Sequence, residues 1–125
     1  MRFDEKAREN LEAAERLLPD DSGDRDPLCA SASRSYYAAY LAVADAAQKA
    51  GFGFTSDRDY YRHDALADDV LEWGLLDAER ASELALLLGS RVKADYWEDD
   101  VELEEASEAH AMARTIVSAL LEVPS

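Results

Sequence analysis

The sequence is short of the residues that staple, break or charge-balance a chain. Its one cysteine, Cys29, excludes an internal disulfide framework and gives no sign of an oxidising compartment. Its two histidines, His63 and His110, fall at no metal-ligand spacing, and HExxH and CxxC patterns are absent. No metal and no cofactor is therefore expected. Gly51-Phe52-Gly53 is too short for a phosphate-cradling loop and lacks a following Lys-Ser/Thr. No apolar run approaches the roughly 18 residues of a membrane span. The first residues, MRFDEKAREN, carry no apolar stretch of a signal peptide. A cytoplasmic protein is the expectation. Bases are scarce too: 13 against 28 acids, a net charge of −15, and the lysines are Lys6, Lys49 and Lys93 alone. A field of that sign repels phosphate backbones, so RNA needs a local basic cleft or a basic partner. Acid excess with few lysines also fits a salt-rich habitat.

What is present is helical periodicity. The 125 residues suffice for one domain, 1–125, with one core. Phe3, Ala7, Leu11, Ala14 and Leu18 recur at steps of four and three, which predicts a helix over Phe3–Leu18 that Pro19 stops. Asp26-Pro27 reads as an N-cap followed by a first helical position, and Gly51 as the end of that helix. Its small and aromatic residues, SASRSYYAAYLAVADAA, suit a central helix contacted from several sides. A shorter helix is expected over Tyr61–Trp73, with His63, Leu66, Ala67, Val70 and Trp73 inward. Gly74 ends it, and Asp77 caps the next, Ala78 to about Asp95. The last helix covers Leu103–Glu122, with Leu103, Ala106, His110, Ala113, Val117 and Leu120 as its stripe. Strand-like alternation is absent. Short connections favour antiparallel neighbours, so the fold class is all-α, an up-and-down bundle of four long helices plus one short one.

Chemistry concentrates in Leu87–Trp97, LLGSRVKADYW. At helical spacing Ala81, Leu84, Leu88, Arg91 and Asp95 share one face, so Arg91 extends an apolar stripe. A guanidinium there needs a partner or a wet cleft. It can clamp phosphate through its planar fork, or pair internally with Asp95 one turn on. Asp95 and Tyr96 are partners of Arg91 in a cleft, or residues of a helix end where the acid opposes the dipole and pairs with Arg91 or Lys93. Arg34 and Tyr37 can line the same cleft, whereas Tyr36 and Tyr40 read as aromatic core. His63 can supply a base from elsewhere in the fold. His110, on an apolar stripe, reads as a core histidine, as Trp73 reads as core. Asp68-Asp69 and Asp99-Asp100 read as solvated surface.

Two segments together resemble HEPN domains, in their small stand-alone branch. RSYYAAYLAVADAA (Arg34–Ala47) is similar to that branch's second-helix R-x-YYA signature. RVKADY (Arg91–Tyr96), before an acidic turn and an alanine-rich last helix, is similar to its R-x-x-ADY segment, and His63 falls where the branch often has a histidine. The resemblance spans about residues 1–122. It implies a helical bundle acting as a homodimer, in a toxin–antitoxin or antiphage defence setting. It also implies either metal-independent endoribonuclease activity or RNA- or partner-binding, a nucleotidyltransferase or another defence protein being the partner. The catalytic members carry R-x(4–6)-H late in the bundle. From Arg91 that spacing reaches Tyr96, Trp97 and Glu98, none of them histidine. Tyrosine, with a pKa near 10, is a poor base for a 2′-hydroxyl proton. The expectation is thus a binding protein with a departed ribonuclease site. An active ribonuclease using Arg91 with Tyr96 or His63 stands as the alternative, and a purely structural or regulatory bundle as the third reading. Arg91, Asp95 and Tyr96 are the catalytic candidates. Arg34, Tyr37, Lys93 and His63 are candidates for RNA or phosphate contact.

Overall fold

Punctuation residues divide the described residues into five α-helices. A computed structural model describes residues 3–18, 25–58, 60–96 and 103–121, without the side chains of 25–27 and 93–96. The helices are α1 (Phe3–Leu17), α2 (Arg25–Lys49), α3 (Leu66–Glu72), α4 (Ala78–Tyr96) and α5 (Leu103–Leu121), and there is no strand among the described residues. Helix α2 already includes Arg25, so Pro27 lies in its first turn and not at its first position. A proline is tolerated there because first-turn N–H groups have no intrahelical acceptor. Asp77 caps α4 as the sequence suggests: its Oδ1 accepts from the Arg80 N–H at 2.8 Å.

Gly51 and Gly74 end α2 and α3 in the same way. Both adopt positive φ, +88° and +73°. At each, paired backbone bonds close the helix: Gly51 to Gln48 and Phe52 to Ala47, then Gly74 to Leu71 and Leu75 to Val70. The first of these turns delivers Phe52 onto Trp73 beside the second, with the rings stacked 4.7 Å apart. Trp73 thus packs against the core while remaining partly exposed.

Helix α2 is the hub, packed against α1, α4 and α5. Its buried face is largely alanine: Ala32, Ala38, Ala39, Ala42, Ala44 and Ala47. Side chains this small let neighbouring helices approach closely. Ser31, early in α2, donates its hydroxyl to the Ala14 carbonyl late in α1 at 2.7 Å, while Ala38 and Ala42 cluster with Ala7. These two helices therefore run antiparallel. Ala32 clusters with Ala106, and Ala38 and Ala42 with Val117 and Leu121, so α2 and α5 run the same way. An up-and-down chain path gives both relations. In α4 the deepest leucines are Leu84 and Leu87, with Leu88 only partly buried. Leu103, expected inward on α5, is half exposed; burial there begins at Ala106.

One expected element starts late. Tyr61 and Arg62 are not helical; a single 3₁₀ turn, His63–Ala65, precedes α3. The Tyr61 N–H donates to the Tyr40 hydroxyl at 3.2 Å and the Arg62 N–H to the Thr55 hydroxyl at 2.8 Å. Arg62 is extended, with φ −65° and ψ 125°. These tertiary bonds take up the donors, and Tyr61 is drawn fully into the core.

Overpacking tests the alanine seam. Ala42→Leu should destabilise the protein by about 1–3 kcal/mol in denaturant unfolding. Ala85→Leu, on the exposed face of α4, should stay within about 0.5 kcal/mol. Equal effects at both positions would contradict close packing around α2.

Candidate functional site

Three tyrosines of α2 meet one arginine of α4 and one histidine of the 3₁₀ turn. Tyr36 and Tyr40 are four residues apart and share a helix face; Tyr37 lies about 100° round from Tyr36. Arg91 reaches two members of this set, Tyr36 and Tyr37. Its Nη2 donates to the Tyr37 hydroxyl at 2.9 Å. Its guanidinium carbon lies 4.9 Å from the Tyr37 ring centroid and 5.6 Å from that of Tyr36. A planar cation suits such a position between aromatic faces.

Tyr36 carries the contact onward. Its ring is buried, and its hydroxyl lies 2.5 Å from His63 Nδ1. The imidazole also stacks on Tyr40 at 4.5 Å. Tyr40 is held in turn by Tyr61, donating its hydroxyl to the Tyr61 carbonyl at 3.1 Å while accepting from the Tyr61 N–H. The expected aromatic core of Tyr36 and Tyr40 is therefore also the link between Arg91 and His63. That double role left no mark in the sequence beyond the shared i, i+4 face.

Protonation follows from these contacts. Burial, reinforced by Tyr40 and partly offset by Arg91, pushes the Tyr36 hydroxyl above the ordinary phenol value, so it keeps its proton. That proton needs an acceptor, and His63 Nδ1 is the one it meets. Burial, then the Arg91 cation, lowers the His63 pKa below the ordinary histidine value, against a smaller opposing effect of Asp64. The lowered pKa favours the neutral ring, and donation from the Tyr36 hydroxyl to Nδ1 would put the ring proton on Nε2. In that tautomer it is a hydrogen-bond donor, and its basic nitrogen is already engaged.

The remaining candidates fall elsewhere. Arg34 does not join Tyr37 in one cleft: it is exposed and donates to Asn10 Oδ1 of α1 at 3.1 Å, whereas Tyr37 turns to α4. Helical proximity of the two did not fix which neighbouring helix each would meet. Lys93, Asp95 and Tyr96 lie on the last turn of α4, but their side chains are outside the described residues, as are Trp97, Glu98 and Asp99-Asp100. His110 is buried in α5, and its pKa is lowered first by that burial. Asp68 is exposed; beside it, Asp69 has a carboxyl pKa raised by burial, Glu72 and Asp68. Among the described residues no three metal-ligating side chains come together, and no helix is long and apolar enough to cross a membrane.

An NMR pH titration checks the Arg91–His63 contact. His63 should titrate below about 6.5, and Arg91→Gln should raise its pKa while leaving His110 unchanged. A His63 titration unaltered by Arg91→Gln would show that the cation does not act on the ring. No protein-family model, curated protein or solved structure matches the chain, so its own geometry carries the functional reading.

Proposed function

We propose that this chain is a HEPN-like protein of a toxin–antitoxin or antiphage defence system that binds RNA at Arg91 without cleaving it. The observation that carries the reading is the Arg91–Tyr36–His63 constellation. It places a fixed cation near a neutral imidazole whose Nε2–H is a donor, which suits a phosphate oxygen and not the removal of a 2′-hydroxyl proton. The absence of histidine at positions 96–98 supports the same side of the choice. The net charge of −15 limits the contact to a short, unpaired segment, because a long backbone would meet the acidic surface. In this reading the working unit is a homodimer, and a nucleotidyltransferase or other defence protein is the cellular partner, both by family analogy.

A second reading, a metal-independent ribonuclease, is favoured by one feature: Arg91 and His63 both converge on Tyr36. Incubation of a short single-stranded RNA with the protein in chelator separates the two. The binding account expects intact RNA, retained at low salt and released as salt rises, with Arg91→Ala weakening retention at least about tenfold, as loss of a charged hydrogen bond does. RNA cleaved in chelator, with cleavage lost in both Arg91→Ala and His63→Ala, would establish the ribonuclease instead. RNA neither bound nor cleaved would leave Arg91 as a structural strut.

A further inference from the structure

A cavity of about 550 Å³ is lined by Phe3, Tyr40, Gln48, Phe54, Tyr60 and Tyr61 among others. Two of its walls belong to the site already described: Tyr40 stacks on His63, and the Tyr60 ring lies 6.2 Å from it. The volume suits a small organic ligand and the lining is chiefly aromatic. Gln48 donates its amide N–H to the Tyr61 hydroxyl at 2.9 Å, and that hydroxyl donates to the Phe52 carbonyl at 2.6 Å. This engages the Gln48 amide nitrogen and leaves the amide oxygen as its acceptor group. Tyr60 also lines a second, polar hollow with Thr55, Ser56, Asp57, Arg58 and Arg62. Arg62 pairs with Asp64 at 2.8 Å, and Asp57 adds an acid to the hollow.

The cavity therefore has a largely aromatic lining with guanidinium groups in the neighbouring structure: Arg58 and Arg62 line the hollow that shares Tyr60, and Arg91 packs on Tyr36, whose hydroxyl meets the His63 ring that stacks on Tyr40. In a protein with a net charge of −15, such places are where an anion can approach. A flat ring carrying anionic groups matches this arrangement. We infer that the cavity holds one unpaired nucleobase of a single strand, stacked among Tyr40, Phe54 and Tyr60, with the flanking phosphates toward Arg91 and toward Arg58 and Arg62. The inference rests on the proposed RNA-binding reading for the strand, but the pocket itself stands on its aromatic lining. Base stacking on aromatic side chains tolerates any base, so Gln48 is the group that imposes a preference for a base edge with an N–H donor.

The test uses adenosine, which has no phosphate, and a four-nucleotide single-stranded RNA, each titrated into the protein and followed by amide chemical shifts. Phe54 and Tyr60 are 38% and 40% exposed, so Phe54→Ala and Tyr60→Ala should fold; amide spectra of the free variants check this. Adenosine should shift amides around the cavity, and each variant should weaken adenosine and the tetranucleotide about tenfold. Arg91→Ala should weaken the tetranucleotide and leave adenosine unchanged. Adenosine binding lost in Tyr60→Ala, with tetranucleotide binding indifferent to Arg91→Ala, would keep the pocket and remove the Arg91 reading. Tetranucleotide binding that depends on Arg91 but is equal in both aromatic variants would overturn the pocket. So would an abasic tetranucleotide binding as tightly as the normal one.

Discussion

The hydroxyl of Tyr36 is the group on which the site depends. A buried phenol left without an acceptor costs about 1–3 kcal/mol, and this one meets His63 across 27 residues of sequence. The bond draws the 3₁₀ turn against the middle of α2. Tyr40, one turn further along, holds Tyr61, two residues before the 3₁₀ turn, through both its backbone groups. With Tyr61 and Arg62 bound in that way, α3 begins only at Leu66. Arg91 closes the set from α4, its guanidinium against the rings of Tyr36 and Tyr37. Three separate stretches of chain thus converge on one aromatic side chain.

The same contacts decide what the cluster can do. A histidine is a base only through a nitrogen not already accepting a hydrogen bond. Where Tyr36 donates to Nδ1, with burial and Arg91 favouring the neutral ring, the remaining ring N–H is a donor. A donor and a cation together bind oxyanions. The strongly acidic surface is consistent with such a site only if the ligand is short and the contact local. The alanine seam around α2 serves this purpose mechanically. It sets the helices close enough for Arg91 of α4 to reach Tyr37 of α2 directly.

Much of the fold was legible in the sequence because it is written in local chemistry. Asp77, Gly51 and Gly74 stand where backbone geometry needs them, and alanines at helical spacing mark the buried face of α2. Arg91 stood out because a charge continued an apolar stripe, and its guanidinium meets Tyr36 and Tyr37 there. What was hidden depends on side chains far apart in the chain. The late start of α3 comes from hydroxyls of Tyr40 and Thr55, which no periodicity reveals. The parting of Arg34 from Tyr37 came from Asn10 on another helix. The role of His63 required Tyr36 to be seen as a hydrogen-bonding group as well as a core ring.

The tautomer of His63 tests this account most directly. Long-range nitrogen–proton NMR correlations at neutral pH distinguish a ring protonated on Nε2 from one protonated on Nδ1. The account predicts a neutral ring with its proton on Nε2 and Nδ1 accepting from Tyr36. A neutral ring protonated on Nδ1, with Nε2 left as an available base, would contradict it and return the site to the ribonuclease reading.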